Sequence, residues 1–418
     1  MTQRKSFLIK VCAVVSSVAF FVLLLEAILA LAQINTKSNV RFVPGRGSTY
    51  LPHSYYRHTK EGFSEGYFNS HGFRDHERSY TKPKDTFRII ILGDSYVEGL
   101  QVALEDAFPA LLEKKLNENS GSLKFEVLNL GQAGFGTADE YMRYLNFGIK
   151  YQPDLVILAF LTGNDIRNNS KVLNNEGFAF YFRFDESGHL ALDRSVMNDY
   201  QSSLTPLSKI FKFIKRNSYL ASLISERLYL LNWQLRKDRI RKMLEQTDNQ
   251  NKPATAERRV QKHLDVLSDL NIYLPKMTNR WKEAFAITKA ALLKFRKSVE
   301  ENGNRFVLVT LSNAEQVHPS VQKRLVREYG SLFDFEQPDR IIENFAKREN
   351  IAYLKLMPAF REYHLRTGKY LHGFRGDDAG HWNENGHKLA AEQIFAFLKE
   401  NHLVAAGEPG ATERELTL

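Results

Sequence analysis

The 418-residue sequence predicts a doubly wound α/β fold: a parallel sheet of about five strands with helices on both faces. Three observations carry that expectation. Five short runs are apolar on consecutive residues, as strands covered on both faces require. Helical periodicities lie between them, so each strand feeds a right-handed crossover. One crossover, of about 130 residues, is far longer than a connection needs, and marks a large, mostly helical insertion. An N-terminal transmembrane helix completes the expected architecture.

That helix comes first. Arg4, Lys5 and Lys10 flank VCAVVSSVAFFVLLLEAILALA (Val11 to Ala32), which only Ser16, Ser17 and Glu26 interrupt. The run is long enough to cross a hydrocarbon core of roughly 30 Å. Glu26 sits toward the far end, where its carboxylate can reach the interface. Basic residues before the run favour a cytoplasmic N-terminus and an extracytoplasmic remainder. Residues 1–32 thus read as a single-pass anchor. Ala30 and Ala32 leave a second reading, a signal peptide cleaved near Ala32, and a buried core helix is a third. The single cysteine, Cys12, lies in this run, so no disulfide framework or thiolate metal site can form within the chain.

Residues 33–87 form an N-terminal extension, polar and aperiodic to about Gly62, that reads as a linker or a wrap onto the domain. The main domain spans 88–402. Its first strand is IIILG, from Ile89, and the segment after Ser95 reads as helix through Leu112. The other strands are Phe125 to Gly131, Asp154 to Gly163, Arg305 to Leu311 and Ile351 to Leu356. Helical patterns follow at 106–118, 138–151, 282–303 and 383–402. The insertion covers about 171–280. Within it, Pro206 to Leu244 carries ten basic residues against Glu226 and Asp238, nearly the whole net charge of +10. It reads as a helical subdomain with a solvated basic face, or as a lid touching an anionic polymer or lipid head groups. No motif makes nucleic acid the expected anion. Residues 403–418 read as a frayed tail.

Open α/β sheets place their sites at the carboxyl ends of strands. The first strand ends in Gly93-Asp94-Ser95, the second in NLGQAGFGT, with Gly131, Gly134 and Gly136, and the third in TGND, with Asn164. Downstream, GDDAGHWNENGH holds Asp378 three residues before His381. A lone serine here could simply cap a helix. A hydroxyl, a glycine loop, an amide and a carboxylate–imidazole pair together are what acyl transfer requires.

These blocks resemble the SGNH hydrolases, the GDSL-type esterases and lipases: GDSYVEG, NLGQAGFGT, GND and the DxxH of Asp378 to His381 stand in order. The resemblance covers roughly Arg88 to Leu398, apart from most of the insertion. NSHGFRD and DAGHWNENGH are similar to membrane-anchored bacterial members, some near polysaccharide acetylation machinery. Lys355 departs from related chains, which often carry an acid near this strand end. The resemblance implies a flavodoxin-like sheet, no cofactor, and a catalytic domain on the periplasmic side of the bacterial inner membrane. It implies Ser95 as nucleophile, His381 as base and Asp378 as the orienting acid, with Asp377 a competing neighbour. The oxyanion hole would combine the backbone N–H groups of Ser95 and Gly134, chosen over Gly131 by counting along the block, with the Asn164 amide. The activity expected is a serine esterase or acyl transferase acting on O-acyl groups of a cell-surface carbohydrate. A membrane-proximal lipase or lysophospholipase, and a non-catalytic polysaccharide-binding factor, are the alternatives. No other His/Asp cluster has metal-ligand spacing.

Overall fold

The computed structural model describes residues 2–32, 39–43, 45–174, 179–193, 195, 205–228, 231–232, 235, 270–329, 333–374, 376 and 378–404. Expectations for the tail beyond 404, for Asp377 and for most of the insertion after 228 lie outside them. Helix α1 (Thr2–Ala32) is followed by two hairpins, β1 (Val40–Val43) with β2 (Gly47–Tyr50) and β3 (Tyr55–His58) with β4 (Ser64–Tyr67). The central sheet comprises β5 (Thr86–Gly93), β6 (Lys124–Asn129), β7 (Leu155–Leu161), β10 (Arg305–Leu311) and β11 (Ala352–Lys355). Its order is β11-β10-β7-β5-β6 and every pairing is parallel. Counted along the chain, the first strand lies between the second and the third. That is the doubly wound, flavodoxin-like arrangement expected.

Side chains on a strand alternate between faces, so a run apolar at every position feeds two cores. Ile89, Ile91, Ile157 and Val309 pack on one side against α3 (Phe108–Glu118), α8 (Met357–Thr367) and α9 (Glu384–Glu400). Ile90, Leu92, Leu158 and Leu308 pack on the other against α4 (Thr137–Asn146), α6 (Asn279–Glu301) and α7 (Gln337–Arg348). The N-terminal extension is a wrap, at least from residue 39. Phe73 joins the second core, and Arg143 donates to the Ser48 carbonyl at 2.9 Å.

Two local expectations change. The segment after Ser95 is not one helix: α2 (Ser95–Glu98) stops at Gly99, whose φ of 65° breaks the helix, and α3 begins nine residues later. The insertion opens with a helical turn at Lys171–Asn174 and then carries a hairpin, β8 (Tyr181–Phe184) with β9 (Leu190–Asp193), before α5 (Pro206–Asn217). Its alternating residues Phe180 and Phe182 pack with Ala138 and Met142 of α4 and Ala291 of α6.

Candidate active site

Because β5 connects onward to β6 on one side while β7 lies on the other, a crevice opens at their carboxyl ends. Ser95 follows β5 and Asn164 follows β7, so both stand at that crevice. The turn is tight: a Cβ on Gly93 would overlap the Val97 side chain and sit 2.6 Å from the Ala159 carbonyl. Asp94, fully buried, caps α2 by accepting from the Tyr96 N–H at 2.9 Å. Burial pushes the Asp94 carboxyl upward, against the pull of Tyr96 and Asn164. Asn164 Nδ2 donates to Asp94 Oδ2 at 3.1 Å, which uses one of its two hydrogens and leaves the other.

His381 Nε2 lies 2.8 Å from Ser95 Oγ. Its Nδ1 lies 2.6 Å from Glu61 Oε2, and its backbone N–H donates to Glu61 Oε1, also at 2.6 Å. A carboxylate can only accept, so Nδ1 carries the proton and the Nε2 lone pair faces the serine hydroxyl. Burial pushes the Glu61 carboxyl up, but the hydrogen bonds and charge of His381 outweigh it, and the net shift is downward. Tyr96 steadies the far side of the loop, its hydroxyl 3.2 Å from the Gly380 carbonyl. Trp382, fully buried, donates through Nε1 to the Ser312 carbonyl at 3.2 Å.

The expected orienting acid is corrected by this geometry. Asp378 does not meet the imidazole: its carboxylate accepts from Ser320 Oγ at 2.6 Å and Arg324 Nη1 at 2.9 Å. Burial raises its pKa, and these two donors bring it below the usual range. The reason is local. Gly380, at φ 102°, takes the chain out of any helical i to i+3 register, and the space beside His381 is filled by Glu61. A Cβ on Gly380 would overlap Glu61 Oε1. Glu61 comes from the turn between β3 and β4, 320 residues away, and nothing in the aperiodic sequence around it marks it as functional.

The glycine loop after β6 is strapped to the Ser95 turn. Asn129 Nδ2 donates to the Val97 carbonyl at 2.8 Å, Gln132 N–H to the Gly93 carbonyl at 3.1 Å and Ala133 N–H to Glu98 Oε2 at 3.1 Å. Gly131 gives its own N–H to Asn129 Oδ1 at 3.0 Å and packs on Val97, so it cannot face a ligand. Gly134, at φ 80°, is exposed with open space where a Cβ would stand. Lys355 is ion-paired with Glu343, away from the relay.

Known proteins of similar structure can be set beside this geometry. An acetyl xylan esterase aligns over 74% of this chain and 98% of its own, at 13% identity and a TM-score of 0.37. A two-domain esterase active on acetylated mannans aligns over 79% of this chain and 53% of its own, at 12% identity and a TM-score of 0.38. An acetylxylan esterase from Geobacillus stearothermophilus aligns over 75% and 94%, at 13% identity and a TM-score of 0.37. No protein-family model matches the chain, and no curated protein matches it in sequence. Among the described residues, no group of three or more His, Cys, Asp or Glu side chains is placed to hold a metal ion.

Proposed function

We propose that the protein is an extracytoplasmic serine esterase or acyl transferase that works through an acyl-enzyme on a cell-surface carbohydrate. The observation that carries this reading is the hydrogen-bonded series Ser95–His381–Glu61, at 2.8 and 2.6 Å. Ser95 Oγ attacks the ester carbonyl as its proton passes to His381 Nε2, and the carbonyl electron pair moves onto oxygen. Glu61 holds the tautomer and stabilises the imidazolium without taking the proton. The oxyanion is received by the N–H groups of Ser95 and Gly134 and by the Asn164 hydrogen that Asp94 leaves unused; one such donor is typically worth about 3 kcal/mol. Collapse expels the acceptor hydroxyl, which takes the proton from Nε2. Water or a second hydroxyl then attacks the acyl-enzyme by the same steps in reverse.

The rim of the site supports a short acyl group on a bulky hydrophilic acceptor. The Glu61 and His381 side chains keep 27% and 28% of their surface, and Ala133 and Gly134 are exposed. This exposure among the described residues gives a hydrophilic acceptor such as a carbohydrate access to Ser95. In this reading α1 anchors the domain: 28 apolar-rich residues, Lys5–Ala32, are long enough to cross a bilayer. The basic insertion would contact an anionic polymer or lipid.

The test is acyl-enzyme capture. Incubation with an activated acetyl ester should leave an acetyl group on the Ser95 peptide, seen by mass spectrometry. Ser95→Ala should remove the adduct and lower kcat/KM by at least about three orders of magnitude. Its Tm should stay within about 2 °C, because the hydroxyl does not pack the core. Near wild-type turnover in Ser95→Ala would overturn the serine mechanism.

A further inference from the structure

Glu26 of α1 does more than tolerate an apolar helix. Its Oε2 accepts from Ser218 Oγ at 2.9 Å and from the Leu220 N–H at 3.0 Å, and its Oε1 accepts from the Tyr219 N–H at 2.6 Å. The carboxylate therefore caps the N-terminus of a helix at 219–228, where unpaired N–H groups and the helix dipole favour an anion. Glu26 is six residues from the end of α1, or about 9 Å along its axis. The corner where α5 ends and helix 219–228 begins is thus pinned to α1 within its last two turns.

Pinning the corner there leaves α5 with an apolar face that none of the described residues buries. None of its residues is buried, and Leu207, Ile210, Phe211 and Ile214 are 76%, 56%, 61% and 46% exposed. Their spacing puts them on one arc, with Phe213 at its margin, while Lys209, Lys212, Lys215 and Arg216 occupy the opposite arc. A helix of this pattern is built for the plane where acyl chains meet head groups. Its apolar arc sinks in and its basic stems reach anionic phosphates. Lys60, next to Glu61, is paired with Glu226 of helix 219–228 at 3.3 Å, so the same helix also touches the hairpin that carries the acid.

We infer that α5 lies in the outer surface of the bilayer that α1 crosses, bound to anionic lipid, and so holds the active-site hairpin close to the membrane plane. This rests on the reading of α1 as an anchor, and commits the basic insertion to lipid rather than to a soluble polymer. The continuity from α1 through Glu26 to α5, with the arrangement of charge around the apolar arc, identifies the occupant.

The experiment uses the full chain with Cys12→Ser, reconstituted into vesicles of phosphatidylcholine and phosphatidylglycerol. An environment-sensitive fluorophore is attached at Ile210→Cys or, in a second sample, at Lys212→Cys. Iodide in the aqueous phase should quench the Ile210 probe several-fold less than the Lys212 probe, and spin-labelled lipid should show the opposite order. Equal iodide quenching at the two positions overturns the inference, as does protection of Ile210 that needs an added anionic polysaccharide. An alkaline carbonate wash separates the two readings: chain lost from the vesicles refutes the anchor itself, whereas retained chain with an exposed Ile210 refutes only the docking of α5.

Discussion

The two ends of the Ser95–His381–Glu61 series are held in opposite ways. Ser95 opens α2 just after β5, in which Ile89 to Leu92 are wholly buried between two cores, and its turn is fixed by close packing of Gly93. Glu61 sits on a hairpin of two four-residue strands, of whose eight residues only two are buried. That hairpin is fastened by polar contacts. Phe63 N–H donates to the Gln101 carbonyl at 3.2 Å, and Ser64 Oγ to the Leu100 carbonyl at 2.5 Å. Arg74, fully buried, reaches Tyr56 Oη at 2.9 Å and the carbonyls of Glu98, Gly99 and Val102 at 2.6–3.0 Å. Ser95 is therefore placed by the core, and Glu61 by a clasp onto the loop that follows α2. Chemistry that needs both depends on the weaker support.

The largest expected effect tests which carboxylate belongs to the series. Glu61→Gln keeps the shape but offers an amide to Nδ1, which unsettles the tautomer. It should lower kcat/KM by about three to four orders of magnitude. Asp378→Asn, which disturbs the contacts with Ser320 and Arg324 and the field at His318 but none to His381, should stay within about threefold of wild type in the same assay. The reverse result would return the orienting role to Asp378. Next in size is Gly380→Ala. The new methyl overlaps Glu61 Oε1 at a backbone conformation that L-residues rarely adopt, so the carboxylate must move. Displacement of about 1 Å in such a site costs about 100-fold in turnover, and activity measured alongside Tm would show whether the clasp or the whole fold gave way.

The same contrast explains what could be read from the sequence. The five strands are legible because burial on both faces writes itself into consecutive residues, and Ser95, Asn164 and His381 are legible because each adjoins a periodic element. The break at Gly99 is written in VEGL but easily overrun by the apolar residues on either side. The β8–β9 hairpin left a signal too, the alternation of FYFRF and the turn at Gly188, which a helical expectation passed over. Glu61 left none. Its place beside His381 comes from a contact spanning 320 residues, made by a polar turn whose neighbours obey no period. Asp378 misleads for the complementary reason: its distance from His381 along the chain is right, while the left-handed Gly380 sends its carboxylate elsewhere.

The smallest effect distinguishes the two supports by pH. His58, on β3 beside Glu61, is lowered from 6.5 to about 4, first by burial and then by the charge of His381. His387, in the core, is lowered to about 3 by burial, with Arg74 and His381 adding to it. Both are neutral in the folded chain at pH 6, where an unfolded chain begins to charge them. Falling pH therefore favours unfolding, starting near 6.5 and continuing to about 4 for His58 and about 3 for His387. Each group steepens the loss by at most about 1.4 kcal/mol per pH unit, and the partly exposed His58 by less. Urea unfolding of His58→Gln and His387→Gln across this window should give flatter profiles than wild type. The His387 difference should keep growing below pH 4 after the His58 difference has levelled. If His58→Gln flattened the profile as much as His387→Gln, the hairpin would be as firmly buried as the core, and the clasp would not be the weaker support.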